Sequence, residues 1–223
     1  MGKRMGAGKN KVLLSIGRKP IIFYAINAFE KNSKIHRILI AAKAEEISTF
    51  LNLIKKYNFK KVIAIIPGGK ERQDSAFNAL KHLQGINGKD KKAIVVFHNG
   101  ANPFITQEEI SKSILEAKMH GACVVAHPTK DTIKEVDKTG LVEKTLERKK
   151  LWSMQTPQTI RFNLAIKAFS KASRDNFLGT DDVSLVERLG GKVKVIEGSI
   201  YNFKITTPID IELAKIIIRD YEF

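Results

Sequence analysis

Apolar positions along this chain recur in two alternating rhythms. Residues 20–31 put Ile22, Ile26 and Phe29 on one face at helical spacing, and RILIAA at 37–42 follows as a short run suited to a buried strand. The alternation continues with a helical pattern over 45–57, VIAII at 62–66, a helix over 74–83 and AIVVFH at 93–98. A helix over 107–120 and ACVVAH at 122–127 come next. Short apolar runs separated by amphipathic helices predict parallel βαβ units, with helices on both faces of one sheet.

From residue 131 the rhythm breaks. DTIKEVDKTGLVEKTLE alternates more openly around Asp137-Lys138-Thr139-Gly140, which predicts a polar hairpin standing off the core as an arm over about 131–150. Helices over 162–172 and 181–189, the strand VKVIE and a final helix follow; Thr207 is read as the cap of that helix, with Pro208 in its first turn and Asp210 three beyond the cap. With no linker or repeat, the 223 residues read as a single α/β domain: a Rossmann-like three-layer fold, mostly parallel, with a protruding β-hairpin.

Composition narrows the partners. A formal charge of +16 directs the chain toward anions: nucleic acid, phosphorylated metabolites or an acidic membrane surface. The basic start has its apolar stretch cut by Gly17, Arg18, Lys19 and Pro20, which argues against a signal peptide or a membrane span. Cys123 lies inside an apolar run, reads as a buried strand residue and fits a reducing, cytoplasmic setting. The five histidines have no metal-ligand spacing, so no residue is singled out as a metal ligand. A nucleic-acid-binding module is disfavoured, because the cations gather in loops and no aromatic stacking motif or helix-turn-helix pattern accompanies them.

In an open α/β sheet, ligands sit beyond the carboxyl ends of the strands. The loop at 2–11, with Gly2, Arg4 and Lys11, reads equally as a phosphate grip or a solvated basic terminus. The loop PGGKERQDS, holding Gly69, Arg72 and Ser75, reads as a base- or phosphate-contacting turn or as a plain turn. HNGANP puts Asn99 and Asn102 where an acid would bind metal or ribose, with His98 as a satisfied strand-end histidine. Lys204, expected on a short strand beside a helix start, brings a cation and a helix dipole toward one anion.

Taken together, GKRMG, PGGKERQDS, HNGANPF, TLERKKLW, QTPQ, TDDVSLVERLG and NFKITTP fall in the order and spacing of one family, and the chain resembles the 2-C-methyl-D-erythritol 4-phosphate cytidylyltransferases over residues 1 to about 215. That resemblance implies a homodimer acting on CTP and a sugar-alcohol phosphate, with Mg²⁺ and without nucleic acid or membrane. It implies Arg4, Lys11 and Lys204 as the catalytic cations, and Gly2, Gly69, Arg72, Ser75 and Asn99 around the nucleotide. It further implies Asn102, Thr132, Arg148 and Thr156 around the second substrate, the arm carrying Thr132 and Arg148 reaching across the dimer.

Three departures accompany the resemblance. The first strand and part of the nucleotide loop of the family pattern are expected upstream of Met1; Asn99 and Asn102 stand where the pattern has Asp and Arg; and Asn10 stands where proline is usual. The sequence therefore leaves open a ribitol-5-phosphate cytidylyltransferase and a catalytically impaired nucleotide-binding paralogue.

Overall fold

Why the first described residues turn back on themselves is written in one glycine. β1 (Ser15–Ile16) and β2 (Lys19–Pro20) pair antiparallel across Gly17, whose φ of 62° lies in the left-handed region that a side chain would strain. α1 (Ile21–Lys31) follows directly and buries Ile22, Ile26 and Phe29, the stripe its 3.6-residue period predicts. In this computed structural model the described residues are 10–87 and 92–220.

β3 (Ile38–Ala42), α2 (Ile47–Tyr57) and β4 (Val62–Pro67) form a parallel βαβ unit, and α2 stops at Asn58 in a left-handed conformation. α3 (Arg72–Asn87) crosses to β5 (Ile94–Phe97). α4 (Gln107–His120) starts in a reciprocal capping box, Thr106 accepting from the backbone of Glu109 while Glu109 accepts from the backbone of Thr106. β6 (Ala122–Pro128) comes next, and the arm is a separate antiparallel pair, β7 (Lys134–Val136) and β8 (Val142–Thr145).

Within this layered fold one strand runs against the parallel direction. β9 (Trp152–Arg161), which the hydrophobic pattern does not mark as a strand, is the longest strand among the described residues and lies antiparallel between β5 and β6. The arm is the reason: a hairpin excursion after β6 returns the chain in the opposite direction, so the next strand must run back. α5 (Phe162–Arg174), α6 (Ser184–Glu187), β10 (Lys194–Glu197) and α7 (Pro208–Asp220) complete the chain, with β10 parallel to β6. Among the described residues the main strands form two separate units, β3-β4 and β10-β6-β9-β5.

Side chains of β5 alternate between two cores. Val95 and Phe97 meet Leu80 of α3 and Phe169 of α5, whereas Val96 packs with Phe29 of α1 and Ile110 and Ile114 of α4. Helices therefore cover both faces, as expected. Cys123 is fully buried, and burial pushes its thiol up to about 12, so it remains an inert core residue.

Candidate active site

Three loops are tied together past the ends of the strands. After β4, the Ser75 hydroxyl accepts from the Gly69 amide at 2.9 Å and donates to the Glu71 carbonyl at 3.1 Å. Gly69 is tight: a Cβ there would stand 2.2 Å from Cβ of Asp74, so only glycine lets the loop fold onto the start of α3. After β5, the amide of Asn99 donates to Thr156 Oγ1 at 3.3 Å, and Asn102 Nδ2 donates to the Asn202 carbonyl at 3.1 Å. Asn202 in turn donates to the Thr156 carbonyl at 2.8 Å, and the Ile205 amide to the Ala101 carbonyl at 2.9 Å. This web fixes the backbone that carries Lys204.

Arg72, at the first position of α3, is the hub. Its Nε donates to Asn99 Oδ1 at 3.2 Å, its Nη1 donates to Asp182 Oδ1 at 3.0 Å, and its Nη2 pairs with Asp182 Oδ2. Asp182 is buried, which pushes its carboxyl above the usual carboxylate range while the guanidinium pulls it down. Gln158 holds the segment that carries it, accepting from the amides of Asp182 at 2.7 Å and Val183 at 3.2 Å and donating to Asp181 Oδ2 at 2.8 Å. Lys204 lies close enough to Arg72 for the two cations to repel: burial first, and then the Arg72 charge, hold its ammonium below the ordinary lysine value. Two cations held together against their mutual repulsion make a place where an anion binds favourably.

Lys11, Gly69, Arg72, Ser75, Asn99 and Lys204 line one cleft of about 2620 Å³. Gly2 and Arg4 lie outside the described residues. Thr156 is 3% exposed, its hydroxyl accepting from the Asn99 amide. Asn102 is also 3% exposed and directed at Asn202, so its side chain braces the loop rather than lining the cleft. Thr132 and Arg148 are exposed on the arm, away from the cleft walls, with Arg148 Nη1 donating to the Lys130 carbonyl at 3.2 Å.

One local expectation changes. Lys204 sits on an irregular segment rather than a strand. α7 starts at Pro208 directly after Thr207, as read from the sequence, and the donors at its start are satisfied by Asp210, whose Oδ2 accepts from the amides of Thr206 and Thr207, both at 2.7 Å. A carboxylate at the third helical position has both the reach and the charge to satisfy two exposed donors. Asp182 and Gln158 were not singled out as site residues from the sequence, although an acidic pair opening a helix in so basic a chain was a signal for a cation partner.

A layered α/β fold with a cation-lined cleft past the ends of its parallel strands defines the chain as a nucleotidyltransferase. The family described as 2-C-methyl-D-erythritol 4-phosphate cytidylyltransferase (IspD) matches residues 1–220. Proteins of that name from Bacillus mycoides (strain KBAB4) and Bacillus licheniformis (strain ATCC 14580) are similar to it: the first is 46% identical over 214 residues, covering 96% of this chain and 92% of the relative. The second is 42% identical over 218 residues, covering 98% and 91%. Among solved structures, 4-diphosphocytidyl-2C-methyl-D-erythritol synthase from Anaerococcus prevotii superposes with a TM-score of 0.84 at 26% identity, over 97% of this chain and 93% of that one. The Francisella tularensis 2-C-methyl-D-erythritol 4-phosphate cytidylyltransferase superposes with a TM-score of 0.78 at 29% identity, over 95% and 94%. The chain belongs to the 2-C-methyl-D-erythritol 4-phosphate cytidylyltransferase family.

Proposed function

We propose that this chain joins CTP to 2-C-methyl-D-erythritol 4-phosphate, releasing pyrophosphate and forming 4-diphosphocytidyl-2-C-methyl-D-erythritol for isoprenoid precursor synthesis. The observation that carries the reading is the convergence of Lys11, Arg72 and Lys204 on one cleft in a chain of this family. An oxygen of the sugar-alcohol phosphate attacks the α-phosphorus, a P–O bond forms, and the bond to the β-phosphate breaks. The nucleophile is already ionised near neutral pH, so the protein has little acid–base work. Its task is to hold mutually repelling anions in line and to stabilise charge on the crowded α-phosphorus, with Lys11 and Lys204, together with Arg4, as the cations assigned to it.

Gly69 and Ser75 shape the loop for the cytosine side, and Asn99 offers an amide to the ribose. Thr132 and Arg148 serve the second substrate from the arm of a partner copy, a reading supported by the apolar side chains that the arm holds in solvent: Val136 is 58% exposed and Leu141 69%. Mg²⁺ belongs with the nucleotide. Of the carboxylates lining the cleft, Glu45 pairs with Lys43 at 3.6 Å, Glu46 accepts from Asn10 and Asp182 is paired with Arg72, and no group of three or more His, Cys, Asp or Glu suited to a metal occurs among the described residues. These residues do not make a resident metal site, so the cation's ligands on this reading are phosphate oxygens. A cytoplasmic setting is supported by the one reduced, buried cysteine. No helix among the described residues is long and apolar enough to cross a membrane.

Pyrophosphate release from CTP, measured with methylerythritol phosphate and with ribitol 5-phosphate in parallel, tests the reading. Turnover with the first at a kcat/KM at least about tenfold above the second is expected. The reverse preference assigns the ribitol substrate, and turnover with neither, alongside intact CTP binding, leaves a nucleotide-binding paralogue.

A further inference from the structure

Glu46, on the cleft wall, takes no part in the chemistry described so far. It closes a single 3₁₀ turn, Ala44–Glu46, that follows β3 and runs into α2. Its Oε2 accepts from Asn10 Nδ2 at 2.9 Å, across 36 positions of sequence. The other end of the same amide is spent as well, because Asn10 Oδ1 accepts from the Val12 amide at 3.3 Å. Asn10 therefore stands between Glu46 and the 3₁₀ turn Lys11–Leu13, which it caps. The Leu13 amide donates to the Asn10 carbonyl at 2.9 Å and the Leu14 amide to the Lys11 carbonyl at 3.1 Å, so the backbone of Lys11 is held on both sides.

By charge alone Glu46 is out of place. A carboxylate in a cleft that takes a triphosphate repels the ligand, and Lys43, the nearest cation in sequence, pairs with Glu45 at 3.6 Å. What Glu46 offers is position. Its amide donates to the Lys43 carbonyl at 3.0 Å, just past the end of β3. The loop after β4 leans on the same strand end: the Gly68 amide donates to the Ala42 carbonyl at 2.8 Å, and the Gly69 amide beyond it to Ser75 Oγ at 2.9 Å. The loop on the base side and the turn that carries Lys11 are thus both referred to one strand end. A hydrogen bond to an ionised acceptor is stronger than a neutral one, which suits a clasp between segments so far apart in sequence. Position 10 gains a chemical task as well, one that a proline ring, having no donor, cannot perform.

We infer that Glu46 is a positioning residue of the nucleotide site: through Asn10 it sets where Lys11 stands relative to the loop on the base side. The inference rests on the cytidylyl-transfer reading of the cleft, and Glu46 acts on the triphosphate only through Lys11. Charge and clasp have opposite signs here. Removing the carboxylate charge by itself should tighten CTP, because a repulsion disappears. Removing the clasp should weaken CTP, because Lys11 must then be ordered at the moment of binding. Glu46→Gln separates the two, since it discards the charge and keeps an oxygen that accepts from Asn10 Nδ2.

Calorimetric titration of CTP into the full chain and its variants tests this, with amide exchange at Leu13 and Leu14 read on the same samples without ligand. Glu46→Met should weaken CTP by about tenfold, as loss of a hydrogen bond to a charged group does, and should speed both exchanges. Glu46→Gln should stay within about threefold of the parent in both readouts. Asn10→Asp still caps the turn but sets two carboxylates face to face, so it should weaken CTP at least as much as Glu46→Met. Adding Glu46→Gln to Asn10→Asp should restore binding, donor and acceptor having changed places. On a Lys11→Met background, Glu46→Met should cost less than about twofold further, which a general loosening of the fold would not give. The proposal is overturned by Glu46→Met binding CTP as tightly as the parent or more tightly, by Glu46→Gln binding as weakly as Glu46→Met, by no restoration in the exchanged pair, or by full additivity with Lys11→Met. A parent that binds no CTP overturns the proposal and the reading of the cleft together. Binding is read without turnover, so a failed clasp and a failed cytidylyl transfer are separate results.

Discussion

Replacing Arg72 by methionine removes the guanidinium that pairs with the Asp182 carboxylate, a side chain 1% exposed. Breaking a buried ion pair from one side costs about 3–5 kcal/mol, because the remaining charge is left without compensation. Arg72 itself is 35% exposed, so solvent already screens the pair and the expected loss drops to about 2–3 kcal/mol. For a chain of this size that is a fall in Tm of roughly 5–10 °C. The sign with pH follows from the carboxyl. Burial already holds the folded Asp182 above its ordinary value, and without Arg72 it rises further. A carboxyl whose folded pKa lies above the unfolded one contributes stability in acid that is lost as pH rises through the folded pKa, so the deficit of Arg72→Met should shrink from pH 8 toward pH 5. Urea unfolding at the two pH values, with Arg72→Met/Asp182→Asn as the partner variant, measures this. The double variant should recover most of the loss, since no charge is then buried alone. An equal deficit at both pH values, or a double variant no more stable than the single one, refutes the reasoning.

Gln158→Met should cost about 3 kcal/mol in urea unfolding, because it strips two buried amides and the Asp181 carboxylate of their partner at once; a loss below about 1 kcal/mol contradicts that role. His98 supplies a second pH dependence: its Nδ1 is sealed without a partner, Nε2 lies 2.9 Å from the Asn102 carbonyl, and burial lowers its pKa to about 4. The unfolded chain takes up this proton first, so stability should fall by about 2–3 kcal/mol as pH drops from 6.5 to 4, and His98→Gln should flatten that slope relative to the parent. Equal slopes would remove His98 from the account. Asn99→Asp puts a carboxylate 3.2 Å from Arg72 Nε and should raise kcat/KM by about tenfold or more if the amide limits the reaction; an unchanged rate says that it does not.

The layers were legible because α1, α4 and β6 bury what their periodicity exposes as apolar, and the arm because its alternation runs through Gly140. β9 was not legible: its middle, Gln155 to Thr159, is polar, and these side chains are buried through hydrogen bonds that no hydrophobic pattern encodes. Among the cations of the site, Lys11 and Arg72 stood out in the sequence through their glycine-rich settings and Lys204 through its place ahead of a helix start. Their partners did not, since Asp182 meets Arg72 across 110 positions of sequence and only the tertiary fold brings that pair together. Asn102 carried the opposite lesson, because a polar residue in a strand-end loop reads as a ligand contact and here spends its amide on the backbone of Asn202.

The central claim is that Lys11 and Lys204 hold one triphosphate between them. Calorimetric titration of CTP into the parent, Lys11→Met, Lys204→Met and the double variant tests it most directly. Each single change should weaken binding by about tenfold or more, and the double variant should depart from the sum of the two by at least about 0.5 kcal/mol, as groups sharing a ligand do. Strictly additive losses, or CTP bound as tightly without Lys204 as with it, would contradict the account.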